Sequence, residues 1–130
     1  MSAVPKVTLL TTLGMEVVEA TKDRVVIRMP VEPRVLQPYG LLHGGASVAL
    51  AETAASMAGM MNVDRAVEAV VGIEINANHL RAKKDGMVTA VATPVHLGRR
   101  THVWDVRITD EQDKLVCASR CTLAVVPVSA

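Results

Sequence analysis

The sequence predicts an α+β fold in which an antiparallel sheet is folded around one buried helix. Three observations carry this reading. The Ala- and Met-rich run from Gly45 to Met61 has the composition of a helix. The stretches on either side alternate with the two-residue period of strands. The breaks between those stretches fall on turn-forming residues. At 130 residues, half of them apolar, the chain suffices for one core but not two, so a single domain over 1–130 is expected.

Taken in order, Val7 to Leu13 is a candidate short helix. Met15 to Ala20 and Arg24 to Val31 are rich in Val and Ile around Thr21-Lys22-Asp23, the pattern of a hairpin. Glu32 to Gly40 contains Pro33 and Pro38 and is expected to be loop, because proline cannot donate to a central ladder. In the helix that follows, apolar residues occupy nearly the whole circumference, so it should be covered on most sides. Its alanines keep it thin enough for a curved sheet to wrap. Beyond Asp64, Val70 to Arg81, Met87 to Leu97, Thr101 to Thr109 and Lys114 to Val126 read as four strands, broken at Asp85-Gly86, Gly98 and Asp110 to Asp113.

Charge and composition remove several function classes. Lys and Arg number 14 against 13 Asp and Glu, and Trp104 and Tyr39 are the only large aromatics, so neither a basic groove-reading face nor a stacking platform for nucleic acid is available. The longest apolar run, Gly44 to Met61, carries Glu52 and falls short of the roughly 20 residues of a membrane span, so no membrane partner is expected. Met1 to Thr12 lacks the basic start and small-residue cleavage site of a secretion signal. Cys117 and Cys121, four apart on one strand, would stand about 13 Å apart, beyond disulfide reach. Reduced core cysteines and a cytoplasmic location follow as expectations.

The chemistry concentrates between Gln37 and Ser56. Gly44-Gly45 opens the helix, where free N–H groups and the positive dipole end suit a developing oxyanion; the pair also suits a plain tight turn. His43 adjoins the same point and could donate to the same oxygen, or serve only structure. Glu52 is the sole charge in an apolar helix and must be paired, protonated or open to a site that uses its charge. Ser56 lies one turn further on the same face, within reach of the carboxylate or simply packed. Glu52 follows Gly44 by eight residues, about 12 Å along a helix, whereas a base and an oxyanion donor must both reach one carbon. Two antiparallel copies of the helix about a twofold axis would solve this, which predicts a homodimer with two shared sites.

Three segments carry a resemblance across roughly Gly14 to Ala124. They are Gln37-Pro-Tyr-Gly-Leu-Leu-His43-Gly-Gly-Ala-Ser with Glu52 nine residues after His43, Gly72-Ile-Glu-Ile-Asn-Ala-Asn-His79, and His96-Leu-Gly before Trp104. Together they resemble the hotdog-fold acyl-CoA thioesterases, nearest the branch of 1,4-dihydroxy-2-naphthoyl-CoA hydrolases and proofreading thioesterases of enterobactin synthesis. The resemblance implies that Glu52 is the catalytic carboxylate, as nucleophile or general base, with Ser56 assisting it. Gln37 would position water, and His43 with the Gly44 N–H would polarise the thioester carbonyl. The Gly72 segment, His79-Leu80-Arg81-Ala82 and His96-Leu97-Gly98-Arg99-Arg100-Thr101 resemble the substrate and coenzyme A segments, with arginines able to grip phosphate.

The resemblance further implies a dimer at least, with dimers pairing into a tetramer, and neither metal nor cofactor beyond the coenzyme A of the substrate. Tyr39 replaces a frequent Phe, Met60 stands where some relatives carry an aromatic, and Arg99 replaces a small polar residue. The acyl pocket is therefore expected to be lined by Met and Ala. Grouped together, Arg81, Arg99 and Arg100 would favour free acyl-CoA. The alternatives are acyl groups misloaded on a carrier protein and a non-catalytic acyl-CoA-binding dimer, against which Glu52, Gln37 and His43 argue.

Overall fold

A computed structural model describes residues 4–128. The chain runs α1 (Leu9–Thr12), β1 (Glu16–Ala20), β2 (Val25–Pro30), a single 3₁₀ turn (Pro33–Val35), α2 (Gly44–Met60), β3 (Glu68–His79), β4 (Met87–Leu97), β5 (Thr101–Thr109) and β6 (Leu115–Pro127). All strand pairs are antiparallel and form one six-stranded sheet in the order β1-β2-β4-β5-β6-β3. The sheet wraps α2, which is the hotdog architecture.

Alternation places the core. Val25, Ile27 and Met29 of β2, Val88, Ala90 and Ala92 of β4, Trp104, Val106 and Ile108 of β5, and Cys117, Cys121 and Leu123 of β6 are buried under the helix. Leu50, Ala51, Ala54, Ala55 and Ala58 answer them from α2, and their small side chains let the axis settle close to the strands. Pro94 fits inside β4 because β2 stops pairing at Ala92, and a bulge between Pro94 and His96 relieves the ladder with β5. Both cysteines are buried and free, as their strand spacing dictates.

The structure corrects four expectations. The first helix is confined to Leu9–Thr12, and the proline segment winds one 3₁₀ turn because Pro33 fixes a compatible φ. β3 starts two residues early, at Glu68, and stops at His79, leaving Leu80 and Arg81 in the following loop. Most significantly, the sheet covers only one side of α2. Val48, Ala49, Thr53, Met57 and Met60 are partly exposed on the other side, because one sheet can wrap only so far around one helix.

Candidate active site

The entry to α2 is a rigid corner. His43 caps the helix with its Nδ1, which accepts the Gly45 N–H at 2.8 Å. In the neutral ring that bond leaves the proton on Nε2, the one nitrogen of His43 able to donate to a ligand. The Gly44 N–H has no protein acceptor among the described residues and stands at the positive end of the helix. The preceding loop is pinned by His43 N–H to Val35 O at 2.8 Å, Leu42 N–H to Lys83 O at 2.7 Å and Gln37 N–H to Leu41 O at 2.8 Å. Gln37 accepts the Tyr39 N–H on its side-chain oxygen, which leaves its amide nitrogen as a donor.

His79, the last residue of β3, closes this corner. A Cβ on Gly44 would stand 2.8 Å from His79 Nε2, so only glycine lets the ring lie against the helix start. Gln37, Gly44, Ser47, His79, Leu80, Arg81 and Ala82 line one cavity of about 360 Å³.

Glu52 opens elsewhere. It is half-buried on the outward side of α2, with Ser56 beside it, in a groove of about 840 Å³ walled by Leu9, Leu10, Val48, Met57, Met60 and Met61 and reaching Arg65. The Glu52 carboxylate has no ion pair or hydrogen bond among the described residues. It rests on β3 where a Cβ on Gly72 would collide with Oε2. A bulge between Gly72 and Glu74 bends the strand at this point. Beneath it, burial first, then the charges of Glu52 and Glu74, push the Cys121 thiol up to about 11. That thiol stays protonated at neutral pH and is a core group rather than a nucleophile.

One chain therefore brings Gln37, Gly44 and His79 together in one cavity and Glu52 with Ser56 in another. It also separates the arginines. Through β6, His79 of β3 is in register with Cys117 and Ile108, whereas Thr101 is in register with Ala124 and Val71. Seven strand residues, about 23 Å, lie between the His79–Ala82 end and the His96–Thr101 turn. The expected grouping of Arg81 with Arg99 and Arg100 does not exist within a protomer. The turn itself is tight, with Gly98 N–H bonded to Thr101 O at 2.8 Å and Arg99 and Arg100 exposed.

Sequence reasoning missed one support. Lys83 Nζ pairs with Glu111 of the β5–β6 turn, and Glu111 also accepts the Met87 N–H at 3.0 Å. Lys83 beside it, then backbone N–H groups, hold the Glu111 carboxyl down to about 2. Because the Lys83 carbonyl binds Leu42, this strap ties the loop after β3 to the loop before α2. No local signal marks it, since 28 residues separate the pair. No group of three or more His, Cys, Asp or Glu poised to hold a metal occurs among the described residues.

The chain is similar to known proteins over most of its length. Residues 39–117 match the model of the thioesterase superfamily. The chain is 50% identical over 114 residues to a 1,4-dihydroxy-2-naphthoyl-CoA hydrolase of Listeria monocytogenes, covering 88% of this chain and 92% of that protein. It is 48% identical over 118 residues to the proofreading thioesterase EntH of Cronobacter turicensis, covering 91% and 85%. A thioesterase of Haemophilus influenzae, known from its crystal structure, superposes with a TM-score of 0.91 at 46% identity, covering 96% and 87%. The chain belongs to the thioesterase superfamily. It is a thioester hydrolase with the hotdog fold.

Proposed function

We propose that the chain, as one domain over 1–130, hydrolyses acyl- or aroyl-CoA to a carboxylic acid and free coenzyme A, in the cytoplasm, at two sites shared across a homodimer. The observation that carries this reading is the division of the machinery between two cavities of one protomer: Glu52 and Ser56 in one, Gln37, Gly44 and His79 in the other. Glu52 acts on the thioester carbon as nucleophile or through a water held by Gln37. The Gly44 N–H and His43 Nε2 meet the oxyanion. Ser56 steadies the carboxylate, and neither a metal nor a cofactor enters the scheme.

The uncovered sheet edge supports the dimer. β3 is an edge strand of 12 residues whose Val71 and Ile73 are 47% and 59% exposed, an edge that natural proteins cover or pair. Antiparallel pairing of two β3 edges sets the His79 end of one chain beside the Val71 end of the other. Glu52 then approaches the partner's helix start, and the His96–Thr101 turn approaches the partner's His79–Ala82 end. The grip on the nucleotide that one protomer lacks is thereby drawn from two. Pairs of dimers complete a tetramer. The buried free thiols suit a reducing cytoplasm. Among the described residues, no helix is long and apolar enough to cross a membrane.

A second reading, release of acyl groups misloaded on a carrier protein, is supported by the likeness to a proofreading thioesterase, since carrier and coenzyme present the same thioester arm. Thiol release from a panel of aliphatic and aromatic acyl-CoAs and acyl carrier proteins tests both. Glu52→Ala is expected to lose about 10²–10⁴-fold in kcat. Mixing Glu52→Ala with Gly44→Val subunits should restore about a quarter of wild-type turnover, because each hybrid dimer holds one intact site. No recovery after demonstrated subunit exchange removes the shared site. Coenzyme A binding by a wild type that turns over nothing makes the protein a binder.

A further inference from the structure

Building on the proposed thioesterase reading, we infer that His79 is the acid that protonates the departing sulfur, and not merely a contact for the nucleotide. Its placement is the first reason. Ile75 and Ala77 pack on the core beneath α2, and His79 continues that face of β3 to the first residue of the helix. There its Nε2 lies against Gly44, whose N–H is the free donor of the corner. The oxygen and sulfur of a thioester are bonded to one carbon, so a group beside the oxyanion donor also reaches the sulfur.

Elimination is the second reason. In that cavity Arg81 cannot release its proton, and the Gln37 amide and Ser47 hydroxyl are not acids near neutrality. Histidine is the side chain of this cavity that most often serves as a general acid. His43, the other histidine of the corner, is committed through Nδ1 to Gly45, and in the proposed scheme its Nε2 is taken by the oxyanion. The His79 ring has no hydrogen-bond partner among the described residues and is free to turn toward a substrate.

Water forms a C–O bond to the carbonyl carbon and leaves a proton on Glu52; in the covalent alternative Glu52 itself forms that bond, and water cleaves the resulting anhydride after sulfur has left, returning Glu52 with the proton. The C–S bond breaks with its electron pair on sulfur, which takes the proton of the His79 imidazolium. The Glu52 proton returns to solvent, from which His79 is recharged, and the products are a carboxylic acid and a thiol. An alkyl thiol, with a pKa near that of cysteine, about 8.5, gains from an acid at neutral pH, whereas an aryl thiol leaves well without one.

Leaving-group chemistry tests this. Wild type, His79→Gln and His79→Asn are assayed on acyl-CoA, on the matching N-acetylcysteamine thioester, which has no nucleotide, and on the matching thiophenyl ester. The inference expects kcat to fall about 10²-fold on both alkyl thioesters, with little change on the thiophenyl ester and partial rescue by added imidazole. A raised KM confined to acyl-CoA, with the N-acetylcysteamine ester unaffected, overturns it in favour of a nucleotide contact. Equal losses on all three esters overturn it in favour of a structural role. An inactive wild type, or a fully active Glu52→Ala, brings down the parent reading as well, so the two failures are told apart.

Discussion

The two sides of α2 carry different residue types and came to opposite uses. Toward the sheet, Leu50, Ala51, Ala54, Ala55 and Ala58 are fully buried and meet strand side chains at close range. Away from it, Val48, Thr53, Ser56 and Met60 line an open groove, with Glu52 at its edge against β3. The inward side chains are short and rigid, whereas the outward side carries flexible methionines and the one carboxylate. A helix thin enough to be wrapped is thus core on one side and site on the other, and the two sides should fail differently.

The largest effect is expected on the inward side. Leu50→Ala should cost about 2–5 kcal/mol by leaving a hole between helix and sheet, visible as a lower denaturation midpoint. Turnover per folded molecule should stay near wild type. An equal loss of specific activity in the folded fraction would erase the division between the two sides. Next comes Gly72→Ala, which places a methyl against Glu52 Oε2. Displacing the carboxylate should lower kcat about tenfold, or about 1.4 kcal/mol in the barrier, with the unfolding midpoint nearly unchanged.

The smallest effect sharpens the inward side. His102 of β5 lies near Gly59 at the far end of α2, with Nδ1 buried and lacking a hydrogen-bond partner among the described residues. Burial first, then His96, lower its pKa below 6.5, while Glu68 opposes. A lowered folded-state value means that the neutral ring contributes its full stability above about 6.5 and loses it as pH falls toward the folded value. Melting temperature should therefore drop between pH 7 and 5 in wild type and less so in His102→Phe. Parallel curves for the two proteins would assign the acid sensitivity to other groups.

Legibility in the sequence followed distance along the chain. The alternation of β2, β4, β5 and β6, and the alanine run of α2, were readable because strand and helix periods are local. Placement of the breaks at Gly86, Gly98 and Asp110–Asp113 was readable because turn chemistry is local too. His43, Gly44 and Glu52 stood out because a glycine pair and a lone acid are unusual in an apolar run. The approach of His79 to Gly44, the seat of Glu52 on Gly72 and the strap from Lys83 to Glu111 left no local trace. Each depends on which strands neighbour which helix turn, and the strand order places β3 beside β6 instead of beside β4.

By itself, then, the sequence determined the element types, the buried alternation and the candidate carboxylate, because each follows from the preferences of neighbouring residues. Tertiary structure alone decided that only one side of α2 is covered, that His79 and not the β4–β5 turn joins Gln37 and Gly44, and that the strand ends leading to Arg81 and to Arg99 and Arg100 lie seven residues, about 23 Å, apart along the sheet. The physical reason is register: pairing across β3, β6 and β5 converts sequence separations into positions along the sheet, and no short-range preference encodes that conversion.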